Sequence, residues 1–548
     1  MWLIGDLVAN APHVPVHLGS MSYAVKHQHK LHKGKLSPGD VLVANHPESG
    51  GTHLPDITVI TPVFEKTGST VAFYVASRGH HTDIGGLGGT SMPPNSTELW
   101  QEGAAIRSFK LIQNGTFDET GITDILLSPG THPGCTGSRH IQDNISDLKA
   151  QVAANHKGMT LVQALIEEYT LPTVQLYMSA IQSNAEQAVR SYLLTTRTTL
   201  GSHLHATDQM DNGTLLSLTI TICPRGSAVF DFTGSGVELL SNINAPPAIT
   251  YSAIIYSLRL LIASDIPLNQ GCLAPISVLL PKGSFLNPSS GPAVCAGNTQ
   301  TSQRVVDVIL RAFRAAAASH GCMNCLGFFG EGGGGGGKNS TSGERSSSMD
   351  SSGQQPKGYA YAFGETICGG SGATSAQDGA SGVHTHMTNT RITDAESLEK
   401  RYPVILREFA IRAGTGGAGV RRGGDGVVRD IECRAPLSFS VITERRSVAP
   451  YGMEGGGQGE RGANYWVRKV QGEERWVNMG AKNMVRMQAG DRCVIHTPGG
   501  GGWGDPAGVD ADGDGVEGVV GNGAVRAQQY PRASGSVGAY AAAQEASN

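Results

Sequence analysis

Two short clusters of histidine and aspartate, each bordered by glycine, are the residues of this chain best suited to chemistry. The first is Gly51-Thr52-His53-Leu54-Pro55-Asp56, and the second is Gly79-His80-His81-Thr82-Asp83-Ile84-Gly85-Gly86. Neutral imidazole with carboxylate suits a divalent cation such as Mn²⁺ or Zn²⁺, and an open position on such a cation can activate water. Because His and Asp also cap turns and satisfy buried backbone groups, a purely structural role is the alternative.

The residues between the two clusters predict the elements that position them. Residues 57–64 and 71–75 are rich in β-branched and aromatic side chains, and residues 66–69 are typical of a turn. If the two strands pair as a hairpin, the ends carrying His53/Asp56 and His80/Asp83 return side by side. The spacing therefore permits a single metal site.

A second group of polar side chains lies in residues 382–391. The alternation there is typical of a strand, on which His384 and His386 share one face because they are two residues apart. Such a pair suits substrate contact or a second metal-binding element. A histidine pair on a solvated strand face explains it equally well.

The run Thr443-Glu444-Arg445-Arg446 also carries groups that could recognise a ligand. A guanidinium from this run could bind a carboxylate substrate. A surface ion pair between Glu444 and an arginine is the alternative.

Composition narrows the class of protein. At 548 residues, two or three domains are expected, and a formal net charge of -4 provides no basic face for nucleic acid. No apolar run reaches the roughly 18 residues that a membrane-spanning helix needs. Nine cysteines do not form a disulfide framework, and the chain opens without a signal peptide. These features predict a cytoplasmic protein.

The order of sequence patterns predicts a mixed α/β (α+β) fold, with a β-rich core, a helical layer and a second β-rich region. Residues 144–200 have helical periodicity in two segments, and a further helix is predicted over residues 302–319. Strands are predicted at residues 215–223 and 228–232. We expect residues 1–330 to hold the core, 331–357 a Gly/Ser-rich flexible insertion, 358–505 its β-rich continuation, and 506–548 a disordered tail.

Many separated blocks of the chain resemble the hydantoinase B family. They are residues 10–21, 50–56, 77–86, 91–96, 102–104, 147–151, 231–234, 384–394, 399–403, 423–426, 443–446 and 450–452. The later blocks are most similar to the carboxyl-terminal half of eukaryotic ATP-dependent 5-oxoprolinase. The resemblance spans roughly residues 7–505 and is too distributed to arise by chance.

The resemblance implies an activity and a set of site residues. Enzymes of this type open the lactam of 5-oxo-L-proline to L-glutamate, coupled to ATP hydrolysis, in glutathione turnover. Related acetone carboxylases hold manganese through a His-x-x-Asp and a later His, which implies His53, Asp56 and His80 as ligands here. His81 and Asp83 are the implied catalytic or supporting groups. His384, His386 and Arg391 are the expected substrate contacts.

The resemblance also implies a partner. In the family, a hydantoinase A-type module binds ATP and phosphorylates the amide oxygen, so ATP would act here only through such a module in a homo- or hetero-oligomer. Family members usually begin earlier and carry Asn-Asp-Pro where this chain has Asn45-His46-Pro47. The alternatives are therefore a B-type subunit of another hydantoinase or carboxylase, and an inactive, amino-terminally truncated remnant.

Overall fold

The computed structural model describes residues 5–11, 14–65, 70–88, 92–262, 266–331 and 359–508. The predicted turn at 66–69, nearly all of the predicted insertion at 331–357 and all but three residues of the predicted tail lie outside this range. The division of the chain into regions stays a prediction.

Seven α-helices occur in the described residues. They are α1 (Ser20–Leu31), α2 (Glu119–Leu127), α3 (Ile141–Tyr169), α4 (Leu171–Thr199), α5 (Pro247–Leu261), α6 (Ser302–Ala312) and α7 (Ala395–Arg401). A π-helical turn, Gly297–Thr301, leads directly into α6.

Twenty strands occur in the same residues. They are β1 (Val41–Ala44), β2 (Asp56–Phe64), β3 (Val71–His80), β4 (Gly86–Leu87), β5 (Phe109–Gln113), β6 (Thr116–Phe117), β7 (Cys135–Thr136), β8 (His203–Gln209), β9 (Leu215–Ile222), β10 (Ala228–Asp231), β11 (Ile276–Leu279), β12 (Cys325–Glu331), β13 (Tyr359–Glu365), β14 (Val404–Ile411), β15 (Val427–Cys433), β16 (Leu437–Ile442), β17 (Ala463–Val470), β18 (Glu473–Asn478), β19 (Lys482–Met487) and β20 (Arg492–His496).

The first sheet contains the predicted hairpin, in the strand order β3-β2-β1-β5-β6. β2 and β3 pair antiparallel, with Asp56 opposite His80. Helix α3 covers the pair, and two of its amides reach the strand backbone. Gln151 donates to the Ile57 carbonyl at 3.0 Å and Asn155 to the Val59 carbonyl at 3.0 Å. The predicted hairpin is confirmed.

The predicted helical layer is the pair α3 and α4. Thr170 separates the two helices with φ 70°, a left-handed conformation that ends α3, and a proline follows in the first turn of α4. Whereas α3 covers the first sheet, α4 packs on a second sheet of order β11-β10-β9-β8, whose strands β9 and β10 confirm the predicted pair.

Helix α6 is shorter than the sequence predicts. It ends at Ala312, because Arg314 adopts φ 50° and its N–H bonds back to the Arg311 carbonyl. Residues beyond it leave the helix and lead to β12. The prediction of a helix through residue 319 is therefore wrong at its carboxyl end.

Two further sheets form the second β-rich region, with orders β13-β12-β16-β19 and β14-β15-β20-β17-β18. An aromatic cluster lies in their shared core: the ring of Phe328 is 4.8 Å from that of Phe363, 5.1 Å from Phe439 and 5.4 Å from Tyr402. β12 precedes the predicted insertion, and its partners β13 and β16 follow it. With these sheets the mixed α/β fold is confirmed.

Glycine allows the loops of this second region to pack backbone against backbone. A Cβ on Gly500 would lie 1.9 Å from the Ser371 carbonyl oxygen, and one on Gly424 would lie 2.0 Å from the Ala380 carbonyl oxygen. The abundance of glycine thus reflects close approach as well as turns. None of the helices described has the length and apolar character needed to cross a bilayer.

Truncation of Phe328 tests the aromatic cluster. We expect Phe328→Ala to lower the free energy of unfolding by about 3–5 kcal/mol, because a fully buried ring is replaced by a cavity. Leu240, which is 83% exposed, offers the control: Leu240→Ala should stay within about 0.5 kcal/mol of wild type. Urea unfolding measures both. Equal effects would contradict the assigned core.

Candidate metal centre

The open end of the β2–β3 hairpin brings three predicted ligands together. Asp56 begins β2, His80 ends β3, and His53 lies one turn before Asp56. His53 Nδ1 is 2.8 Å from Asp56 Oδ2, and His80 Nδ1 is 3.3 Å from Asp56 Oδ1. One ligand atom from each residue lies within 4.8 Å of the others. The hairpin therefore forms one cluster, as the spacing permits.

The Asp56 carboxylate is the centre of this cluster. Its Oδ2 also accepts hydrogen bonds from Thr52 Oγ1 at 2.8 Å and from Asn298 Nδ2 at 3.2 Å. Burial opposes ionisation, yet the facing imidazoles of His53 and His17 hold the Asp56 pKa well below its usual range. The group is thus a buried anion.

His17 is a fourth member that sequence reasoning missed. It lies in the 3₁₀ turn Pro15–His17 before α1, and its Nε2 is 3.6 Å from Asp56 Oδ2. Burial lowers the pKa of His17 to about 4 and also lowers that of His53, so both imidazoles are neutral at pH 7. The sequence did carry an indication of His17, because it lies within residues 10–21, one of the blocks that resemble the hydantoinase B family.

Asn298 was missed as well. It belongs to the π-helical turn before α6, a conformation that is rare and often found at functional sites. Nothing in its local sequence distinguishes it, because only the tertiary fold brings residue 298 to residue 56.

These residues fit a divalent cation. Neutral imidazoles and one carboxylate are a donor set that Mn²⁺ and Zn²⁺ accept. Ligand atoms bound at about 2.0–2.2 Å lie up to about 4.4 Å apart across the ion, so the observed spacing needs only a small closure. Asp56 supplies the negative charge that the cation requires.

The cluster lies at one side of a cavity of about 450 Å³. The facing wall comes from the β13-β12-β16-β19 sheet and the loop before α7, and it mixes apolar side chains with hydroxyls. Residues that line the cavity include Met323, Phe363, Thr388, Thr390, Arg391 and Ser440. His80 is 45% exposed on its side chain and is open to this space.

His81 and Asp83 lie away from the cavity. His81 is buried, with Nδ1 3.0 Å from the Asn144 amide on α3. Asp83 accepts two hydrogen bonds from the Arg139 guanidinium, each at 2.6 Å. Neighbouring residues of an extended chain face opposite sides, so His81 faces α3 while His80 faces the cavity. A direct catalytic role for this pair stays a prediction without geometric support.

The loop that carries His384 and His386 differs from the predicted strand. Residues 382–391 are irregular apart from a single bridge at Val383, and His386 has φ 54°. His386 Nε2 is 3.1 Å from the buried Asp307 Oδ1. The strand prediction is wrong, because this buried contact sets the loop. Of the three expected substrate contacts, only Arg391 lines the cavity.

Thr443, Glu444 and Arg445 are interior, and Arg446 is partly buried. Glu444 is 3% exposed, and Arg445 lies between Asp208 and Asp307 at 2.9 Å from each. The predicted surface ion pair is therefore wrong. Arg445 is committed to the core and is not free to bind substrate.

The described residues combine a hairpin that bears a candidate metal cluster, a cavity beside that cluster and several antiparallel sheets. Residues 4–506 match the family Hydantoinase B/oxoprolinase. The chain belongs to this family.

Individual relatives agree with this placement. The chain is 51% identical to the 5-oxoprolinase of Saccharomyces cerevisiae over 91% of its own length but only 38% of that protein. It is 26% identical to the B-type subunit of a putative D-/L-hydantoinase from Pseudomonas sp., over 86% of this chain and 76% of that one. The fold matches that of the ATP-dependent caprolactamase of Pseudomonas jessenii with a TM-score of 0.74 at 23% sequence identity. The match covers 91% of this chain and 83% of the caprolactamase chain.

Removal of one ligand tests the cluster. We expect His53→Ala to abolish stoichiometric binding of Mn²⁺ or Zn²⁺, because His53 is the buried imidazole of the cluster and its loss leaves Asp56 with the more exposed rings of His17 and His80. Elemental analysis after gel filtration measures the bound metal. His205→Ala, an exposed histidine in β8, is the matched control and should leave metal content unchanged. Unchanged metal in His53→Ala would contradict the site.

Acid should destabilise the metal-free protein through the same histidines. Between about pH 6.5 and 4, His17 is protonated in the unfolded chain but neutral in the folded one, so stability falls as pH falls through this window. We expect about 1.4 kcal/mol per pH unit for this group. Urea unfolding of His17→Gln should show a correspondingly shallower pH dependence than wild type. Identical slopes would contradict the assigned neutral imidazole.

Proposed function

We propose that the chain is the hydrolase module of a 5-oxoprolinase-type enzyme. It opens 5-oxo-L-proline to L-glutamate, and a hydantoinase A-type module in trans supplies the ATP-dependent step. The observation that carries this proposal is the His53/Asp56/His80 cluster at the side of a cavity sized for a small ring. The 51% identity to a 5-oxoprolinase supports this substrate over others.

The chemistry requires two kinds of help. An unstrained lactam is a poor electrophile, so phosphorylation of the amide oxygen by the partner module makes that oxygen a leaving group. A divalent cation, when bound, supplies Lewis acidity towards water or a carbonyl. In this step water adds to the activated ring carbon, the carbon–nitrogen bond breaks and the nitrogen takes a proton, which leaves a γ-glutamyl phosphate. A second water then displaces inorganic phosphate and gives L-glutamate.

The chain's own residues position the substrate. Arg391 is exposed at the cavity edge, where its guanidinium can bind the substrate carboxylate in a bidentate manner. Thr388, Thr390 and Ser440 offer hydroxyls to the ring amide, while Met323 and Phe363 exclude water from the apolar edge. Asp56 remains ionised and so keeps the charge of the site fixed.

A separate ATP-binding module is part of the proposal because the chain spans only about 38% of the length of the yeast 5-oxoprolinase. The Pseudomonas relative is named as one subunit of a hydantoinase, which supports an assembly of different chains. All nine cysteines are free, which supports a reducing compartment such as the cytoplasm.

Reconstitution tests the activity. The purified chain, mixed with a hydantoinase A-type module and ATP, should release glutamate from 5-oxoproline, whereas neither component alone should do so. Amino-acid analysis measures glutamate, with hydantoin as the competing substrate. Turnover of hydantoin alone favours the hydantoinase-type alternative. Metal binding without turnover of either compound favours an inactive remnant.

Arg391 provides a test of substrate orientation. We expect Arg391→Ala to raise KM for 5-oxoproline by about 10- to 100-fold, the range for loss of a charge-assisted pair, with a smaller effect on kcat. Arg422→Ala is the control, since Arg422 is also exposed but pairs with Asp425. An unchanged KM in Arg391→Ala would contradict the assigned role.

A further inference from the structure

Arg78 lies beside the candidate metal centre and makes three hydrogen bonds there. It is two residues before His80 on β3 and opposite Thr58 on β2, so it shares a face with the Asp56–His80 pair. Its Nε donates to Thr58 Oγ1 at 2.7 Å, one terminal nitrogen to Ser20 Oγ at 2.5 Å, and the other to the Gly50 carbonyl at 2.9 Å.

Each acceptor belongs to a segment that carries one member of the cluster. Thr58 follows Asp56 by two residues on β2. Ser20 begins α1, and its hydroxyl donates in turn to the His17 carbonyl at 2.9 Å. Gly50 lies in the loop that leads to His53. The guanidinium therefore joins the start of α1 to two points of the stretch between Gly50 and Thr58, which contains both His53 and Asp56.

The Gly50 loop has little freedom to adjust by itself. Gly50 adopts φ 84°, and a Cβ there would lie 2.4 Å from the backbone nitrogen of Ala24 on α1. The loop therefore packs directly on the helix whose first residue, Ser20, is bonded to Arg78. A shift of α1 is transmitted to the loop and hence to His53.

We propose that Arg78 is a positioning residue, which holds the segments bearing His17, His53 and Asp56 in the geometry that binds a divalent cation. The inference rests on the proposed metal centre and assigns this residue a role in building it. Arg78 acts through these segments and does not contact substrate.

The guanidinium is suited to this task. Its planar fork directs several N–H donors along separate, fixed directions, whereas a lysine ammonium acts as a point charge on a flexible stem. All three acceptors described are neutral oxygens, so the hydrogen bonds fix the positions of these segments without cancelling the positive charge of the guanidinium. Burial lowers the pKa of Arg78 to about 10 while Asp56 opposes the change, and the side chain is therefore charged at neutral pH.

The test measures metal affinity in the metal-stripped, purified chain. Titration calorimetry with Mn²⁺ and with Zn²⁺ should show Arg78→Met binding about 10- to 100-fold more weakly than wild type, the range for residues that support metal ligands. Arg78→Lys should recover only part of the loss. Ser20→Ala and Thr58→Val each remove one acceptor and should weaken binding by smaller factors.

Arg492→Met separates positioning from a general loss of stability. Arg492 is a partly buried arginine in β20 that pairs with Asp430 and Glu474, in a sheet that does not line the metal cluster. We expect it to lower the midpoint of thermal unfolding without changing metal affinity. If Arg78→Met changes only the unfolding midpoint, as this control does, the inference is overturned.

The remaining outcomes are also decisive. If the wild-type chain binds metal and the affinity of Arg78→Met is within twofold of the wild-type value, the positioning role alone is overturned and the proposed function still stands. Absence of binding of either ion by the wild-type chain overturns the metal centre and, with it, this inference. If Arg78→Met does not fold, Ser20→Ala is the deciding variant, and wild-type affinity in that protein overturns the proposal.

Discussion

The buried Asp56 carboxylate is the interaction on which the rest of the site depends. It is 1% exposed and ionised, so it must be surrounded by donors to offset the cost of leaving water. Those donors come from the Thr52 loop, the two histidines His53 and His80, and Asn298 on the π-helical turn. One charge therefore organises a hairpin, a loop and a distant helix start around a single point.

A second network of buried charged residues is centred on Arg445, outside the first sheet. Arg445 lies between Asp208 of β8 and Asp307 of α6, and Asp307 also contacts His386. Such a network is a weak source of stability, because desolvation of the ions offsets most of their attraction. Its effect here is geometric: it joins the sheet that contains β8, helix α6 and the loop before α7, and so sets the wall of the cavity opposite the hairpin.

The two systems explain why the site lies where the sheets meet. The first sheet contributes the cluster at the open end of its hairpin, and β12, β13 and β16 contribute the facing wall. Ligand cavities commonly form between packed layers, where a few polar groups converge on a mostly apolar space. The fold thus places the cluster beside a space in which a small ring can be held, as the proposed lactam hydrolysis requires.

Local sequence was sufficient for the hairpin and its cluster. β-Branched residues predict β2 and β3, and antiparallel pairing brings residues 53, 56 and 80 together whatever the rest of the fold does. The helical layer and the fold class follow from periodicity in the same way. These features depend on contacts between residues close in the chain.

Only the tertiary structure decided the remaining features. The contacts of His17 and Asn298 with Asp56, the burial of Arg445 and the diversion of His386 to Asp307 all join segments distant in sequence. No spacing rule encodes such contacts, and the same polar residues on an isolated segment would be solvated. Burial is the physical reason, because it is set by how sheets and helices pack together. This packing buries Glu444 and Arg445, which the sequence offered as a surface pair. It also brings Arg78 of β3 into contact with β2, the Gly50 loop and α1.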